Sequence, residues 1–240
     1  MNGVGVVAAL EAEARTLGPA GRRHDGLSTF GDGALLAVGG MGGALAAIAA
    51  RKLVDAGAIR LVSFGLAGGL DPALSAGTVV LPNAIVSCAG ARFVTSPQWR
   101  EQLSIAVASQ RIVAAGNLLT TSTPIDSVAD KAAAFRETGA VAVDMESLAV
   151  AQVADANRLP FVAMRVIVDT AADALPRAVA GASRAGQLSI GRFIGGLAMA
   201  PGELFAVIRL ARRYRAAMLS LRAVARAGLL TSIVIGARVA

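Results

Sequence analysis

At 240 residues, 55% hydrophobic and 16% charged, the chain falls outside the disordered class and is long enough to bury one sizeable core. A single cysteine, Cys88, and a single histidine, His24, exclude an internal disulfide and a cysteine–histidine metal cluster. Acid–base chemistry therefore falls to carboxylates, and neither a metal nor another cofactor is expected. The net charge of +7 sits almost wholly in residues 201–240, where seven arginines (209, 212, 213, 215, 222, 226 and 238) face one acid, Glu203. A nearly neutral body argues against a nucleic-acid partner.

Residues 4–10 form the first predicted strand, which runs into Glu11 and Glu13. No basic residue precedes it, so it does not read as a signal peptide, and the cytoplasm is the expected compartment. His24 falls in a polar loop at 21–26. A strand at 34–38 leads into Gly39-Gly40-Met41-Gly42-Gly43 and a helix over 43–56; another at 61–64 leads into Gly65-Leu66-Ala67-Gly68-Gly69, read as a turn. Glycine turns let a backbone approach a ligand, but they also occur as plain tight turns. The first lacks a dinucleotide fingerprint, having Leu45 where glycine or alanine belongs. After a strand at 78–80 comes the apolar stretch 84–89, where Cys88 is expected to be a buried, inert thiol. Ser96-Pro97 starts a helix over 97–109. Strands at 112–115, 141–143 and 161–168 then alternate with helices at 127–137, 147–157 and 188–199. Strands this apolar are covered on both faces, which gives an α/β fold.

Three strands end in acids: Glu11 and Glu13, then Asp144 and Glu146 within Asp-Met-Glu-Ser, then Asp169. In open α/β sheets the carboxyl ends of strands line the ligand crevice. Carboxylates gathered there repel one another unless a proton, a cation or substrate hydroxyls intervene. Any one of them also reads as a helix N-terminal acid favoured by the dipole.

Taken together, residues 6–13, Asp144-Met145-Glu146-Ser147 and the strand end Arg165–Asp169 resemble the purine nucleoside phosphorylase and nucleosidase superfamily, particularly its adenosyl nucleosidase branch. The similarity runs from Gly5 to about Asp173, and the 23-residue spacing from Glu146 to Asp169 agrees with that branch. It implies a three-layer αβα fold with a central mixed sheet, working as a homodimer or larger oligomer. By the same resemblance, Asp169 would protonate N7 of a purine, Glu146 would accept the ribose hydroxyls and Met145 would pack against the sugar. Glu13 would orient the attacking water with Arg165 close by, while Gly65, Ala67 and Gly68 would supply backbone amides. Thr123 and Pro124 align with the adenine region. The chemistry is coherent: a departing purine needs an acid, and an oxocarbenium-like ribose needs a nearby carboxylate. Two positions depart from the pattern, Leu66 where nucleosidases usually carry serine and Val168 where a polar residue is common; both make the site more apolar. Glu11 and Glu13 disfavour a neighbouring phosphate, so water is the expected nucleophile and phosphate the alternative co-substrate.

Residues 203–226 contain no proline or glycine, and Val207, Leu210, Tyr214, Met218, Leu221 and Ala225 form one helical stripe. Such a basic amphipathic C-terminal helix either lies in a membrane interface or packs on the body or a partner subunit. Ala91-Arg92-Phe93-Val94-Thr95, Trp99-Arg100, Asp173-Ala174-Leu175-Pro176 and the arginine-rich tail resemble the hopanoid-associated phosphorylases. That similarity implies adenosylhopane as substrate, an adenosine whose 5′ carbon bears a pentacyclic lipid, with adenine and a ribosylhopane-type product released. It favours a catalytic body, 1–200, held peripherally at the inner face of the membrane by a helical tail, 201–240. The alternatives are a general adenosine or methylthioadenosine nucleosidase or purine nucleoside phosphorylase, and a non-catalytic nucleoside-binding protein.

Overall fold

The computed structural model describes residues 3–19, 21, 25–31, 33–108, 113–174 and 204–229; His24 and the helix expected at 188–199 lie outside them. Eleven strands of the described residues form one mixed sheet. Strand β1 (Val4–Ala8) lies parallel between β3 (Ala34–Val38) and β4 (Arg60–Gly69), and β2 (Leu27–Phe30) adds an antiparallel edge to β3. Strand β4 is the hub. Its first half runs parallel between β1 and β11 (Phe161–Asp169), whereas at Gly68 and Gly69 β10 (Ala140–Asp144) takes the place of β1, antiparallel. From β10 the sheet continues through β9 (Asn117–Thr120) and β6 (Ala84–Val86) to β7 (Arg92–Val94). From β11 it continues through β5 (Val79–Val80) to β8 (Val113–Ala114).

Alternate side chains along these strands point to opposite faces, and each face is covered. On one face Val7, Leu61 and Ala163 meet Ala46, Ala50 and Leu53 of α2 (Gly43–Asp55) and Val150 and Ala154 of α5 (Ser147–Ala156). On the other, Val6, Phe64 and Met164 share a core with Ala14 of α1 (Glu11–Ala14), Leu103 and Val107 of α3 (Pro97–Ala108), and Leu221 and Val224 of α6 (Leu204–Val224). Helix α4 (Val128–Thr138) brings Ala134 and Phe135 against a smaller cluster at Leu119 and Val143. This is the expected α/β sandwich with a central mixed sheet and a C-terminal helix.

Three readings are corrected. The segment Gly65–Gly69 is strand rather than turn: its residues pair with β11 and β10, and the Leu66 amide, on the side away from β11, is taken by the Glu13 carboxylate. The short strands β2, β6, β7 and β9 were not foreseen from hydropathy. Cys88 is exposed, because burial along this stretch ends at Ile85 and the chain turns through Ser87–Gly90.

The second half of α6 belongs to the core: Ala217, Leu221, Val224 and the following Ala225 are fully buried. Arg209, Arg212, Arg215, Arg222 and Arg226 are exposed. Of the foreseen stripe, Leu221 and Ala225 are buried, Leu210 and Met218 half-buried, and Tyr214 exposed; the Val207 side chain lies outside the described residues. No helix among the described residues is long and apolar enough to cross a membrane.

Candidate active site

The expected carboxylates, far apart in sequence, converge on one cavity of about 240 Å³ at the fork of β4. Glu13, Glu146 and Asp169 line it, with Met145, Ala67 and Gly68; Met41, Leu66, Val143 and Val168 give it apolar walls. Pro124 lines it too, beside Thr121 and Ile125, whereas Thr123 is not among its walls.

Glu13 follows β1 in the first turn of α1. Its Oε2 accepts the amides of Ala9 (3.1 Å) and Leu10 (3.0 Å), so it caps its own helix. Its Oε1 accepts the Leu66 amide at 2.9 Å, tying it to β4. Gly65 makes this approach feasible: a Cβ there would lie 2.5 Å from Glu13 Oε1 and 2.7 Å from Arg165 Nη1. Burial pushes the Glu13 carboxyl above its usual range, although Arg165 and the three amides pull the other way.

Asp144 and Glu146 divide the work of their motif. Asp144 accepts Thr120 Oγ1 at 2.6 Å and the Ser147 amide at 3.1 Å, and bridges Arg165 Nη2 at 2.6 Å. Arg165 is 1% exposed and does not line the cavity; Nη2 also donates to Ser63 Oγ (2.7 Å) and Ser147 Oγ (3.0 Å). Its guanidinium is a buried brace whose charged form Asp144, Glu146 and Glu13 reinforce against the cost of burial. Glu146 reaches the cavity from the start of α5. Its Oε1 accepts the Gly42 amide at 2.9 Å, and Arg165 stands 3.8 Å from Oε2. Gly42 has φ +97°, a left-handed conformation that aims its N–H across to α5 and that side chains disfavour. Burial, opposed by Arg165, pushes Glu146 up to about 7.

Asp169 owes its aim to a β-bulge. The β11–β4 register runs in step to Ile167↔Ala67 and then pairs Asp169 with Gly68, leaving Val168 as the extra residue. The carboxyl thereby enters the cavity beside Gly68. Its partner was not foreseen: Lys131 of α4, fully buried, donates to Asp169 Oδ2 and to the carbonyls of Thr170 (3.0 Å) and Asp173 (2.9 Å). Burial raises Asp169 above its usual range while Lys131 restrains the rise. In sequence Lys131 looks like any solvated helix lysine, and only the helix start at Ser127, whose Oγ accepts the Asp130 amide, places it.

Helix α6 reaches the rim. Arg213 bridges the Asp173 carboxylate, and although burial would raise Asp173, the hydrogen bonds from Arg213 and Thr170 hold it at about 2. Met218 packs against the same core as Leu66 and Val168, and Tyr214, more than a third exposed, is raised by its partial burial and by the charge of Glu13.

The mixed α/β sheet thus gathers buried carboxylates at its strand ends, where acid–base chemistry can act on a ligand. The family model described as the phosphorylase superfamily matches residues 9–188, and the chain belongs to that family. No curated protein sequence matches the chain. Among solved structures, it is similar to the 5′-methylthioadenosine/S-adenosylhomocysteine nucleosidase of Helicobacter pylori bound to butyl-thio-DADMe-Immucillin-A: TM-score 0.68, 14% identity, 97% of each chain covered. Futalosine hydrolase of the same organism gives TM-score 0.65 at 14% identity, covering 92% of this chain and 96% of the other. S-adenosylhomocysteine nucleosidase of Streptococcus pyogenes gives 0.62 at 21%, covering 70% and 84%.

Proposed function

We propose that this enzyme cleaves the N-glycosidic bond of a purine nucleoside, with Asp169 as proton donor and water as nucleophile. The observation that carries the reading is the convergence of Glu13, Glu146 and Asp169, each at most 7% exposed, on one largely apolar cavity. As the bond from the ribose anomeric carbon to N9 breaks, its electron pair moves into the base and Asp169 passes a proton to N7. Glu146 accepts the ribose hydroxyls, close to the growing positive charge, and Met145 packs against the sugar. Glu13, raised by burial, takes the proton of the water that adds to the anomeric carbon. Arg165 braces Asp144 and Glu146, Ala67 and Gly68 line the cavity along β4, and Gly65 leaves room for Glu13 and Arg165 to approach. No lysine or arginine lines the cavity among the described residues, which favours water over phosphate, the alternative co-substrate.

The finer reading is adenosylhopane as substrate. It is supported by the resemblance in residues 91–95, 99–100 and 173–176, by the apolar walls at Leu66 and Val168, and by the exposed arginines of α6 beside exposed Ile208 and Leu219. On this reading α6 keeps one face on the body and turns its basic face to the inner surface of the membrane. Exposed Leu45 and Ile48 on α2 and Ile105 on α3 suit a homo-oligomer.

Product analysis with adenosine, methylthioadenosine and adenosylhopane, with and without phosphate, tests all of this. Adenine and a free ribosyl product, fastest from the lipid nucleoside, are expected. A phosphorylated sugar forming in proportion to phosphate would overturn the choice of water, equal rates on all three nucleosides would overturn the lipid assignment, and tight adenosine binding without base release would leave a binding protein.

A further inference from the structure

The mechanism above asks one carboxyl to be both protonated before bond cleavage and stable as an anion after it. Burial supplies the first property, because a carboxylate removed from water is disfavoured. It works against the second: a buried acid that loses its proton leaves an uncompensated charge. Lys131 stands where that conflict is resolved. Its Nζ touches Asp169 Oδ2 and is fixed by two further contacts, the carbonyls of Thr170 and Asp173, which exhausts the three hydrogens of an ammonium. It is 0% exposed and lines no wall of the cavity, so solvent does not compete for it and the substrate does not touch it.

We propose that Lys131 is the positioning residue for Asp169: it anchors Oδ2, leaves Oδ1 to carry the proton to the leaving base, and stabilises the carboxylate that remains. The proton balance is closed. The Asp169 O–H bond breaks as the N7–H bond forms, and Lys131 keeps its own three protons throughout. Other charged groups around this carboxyl do not substitute for it. Asp173, on the loop after β11, is an acid already neutralised by Arg213 of α6. Asp144 and Glu146 at the β10–α5 junction and Glu13 of α1 are acids across the cavity, and Arg165 is committed to Asp144. This inference rests on the purine nucleoside reading.

The test compares wild type, Lys131→Met and Lys131→Gln on two substrates: adenosine, whose base must be protonated to leave, and p-nitrophenyl riboside, whose leaving group needs no proton. Circular dichroism and thermal melting establish that each variant is folded, and the glutamine variant serves if the methionine one is not. For either variant kcat on adenosine should fall about 100-fold or more, the low end of a general acid's contribution, while KM changes little. Cleavage of the riboside should be nearly unaffected. The alkaline limb of the adenosine profile should move up by about one pH unit or more, because Asp169 without its cation holds its proton to higher pH. An unmoved profile, or equal losses on both substrates, would overturn the role of Lys131 while leaving the nucleosidase reading intact. Absence of base release by the wild type would overturn that reading, and this role with it.

Discussion

Gly65 lets Glu13 and the buried Arg165 brace come together, since both occupy the volume a side chain there would need. Gly65→Ala is expected to cost about 1–3 kcal/mol in stability through overpacking, read as a lowered denaturation midpoint, and to reduce turnover by displacing Glu13. Asp169→Asn keeps the shape but carries no transferable proton, and kcat on adenosine should drop about 100-fold or more in steady-state assays. Glu146 makes a pH-dependent prediction. Its folded value of about 7 lies above the unfolded 4.5, so the folded protein holds this proton more tightly. The stability it contributes is therefore complete below pH 4.5 and is lost as pH rises through about 7. Melting temperatures should decline across that window, and Glu146→Gln should flatten the decline. Nucleoside affinity should move oppositely, rising as the carboxylate forms to accept ribose hydroxyls. At this scale the acids were legible because strand-end position and Asp-Met-Glu-Ser are local patterns. Lys131 and the bracing role of Asp144 were not, because their partners lie on other elements, 38 residues away for Lys131 and 21 for Asp144.

Helix α6 joins the body through its second half and the site's rim through its middle. Leu221, fully buried beside Trp99 and Leu103 in the same core, is the anchor. Leu221→Ala should cost about 2–5 kcal/mol, checked by denaturant unfolding, whereas Arg212→Gln on the exposed face should leave stability within about 0.5 kcal/mol. Replacing Arg209, Arg212 and Arg215 together by glutamine thus separates the surface's role from the helix's packing. On the proposed membrane reading it lowers binding to anionic vesicles while the fold persists, and unchanged vesicle binding would remove that reading. The stripe of α6 was visible in the sequence; which partner it covers was not, because period alone describes an apolar face and not its counterpart. The same limit explains β4. One glycine beginning and two ending a five-residue run look like a turn, yet the residues that pair with them come 73 or more positions later, from β10 and β11.

At the scale of the molecule, the α/β alternation and the helical layers follow from hydropathy, and the sheet's branching follows only from pairing. Strand β4 serves as neighbour to three strands, so residues 61–64 are bonded on both sides by β1 and β11, and Gly68 lies between Asp169 and Val143. A strand held this way opens only when the whole sheet does. Its amides from Leu61 to Phe64 should thus be among the slowest to exchange with deuterated water, at rates set by global unfolding and not by local fraying. Asp169 and Glu13 are tied directly to that strand, whereas Met41, Thr121, Pro124 and Ile125 reach the cavity from connecting segments. Such a division separates what must stay fixed from what can vary: substitutions in the connecting segments can retune which nucleoside enters, without disturbing the frame that breaks its bond.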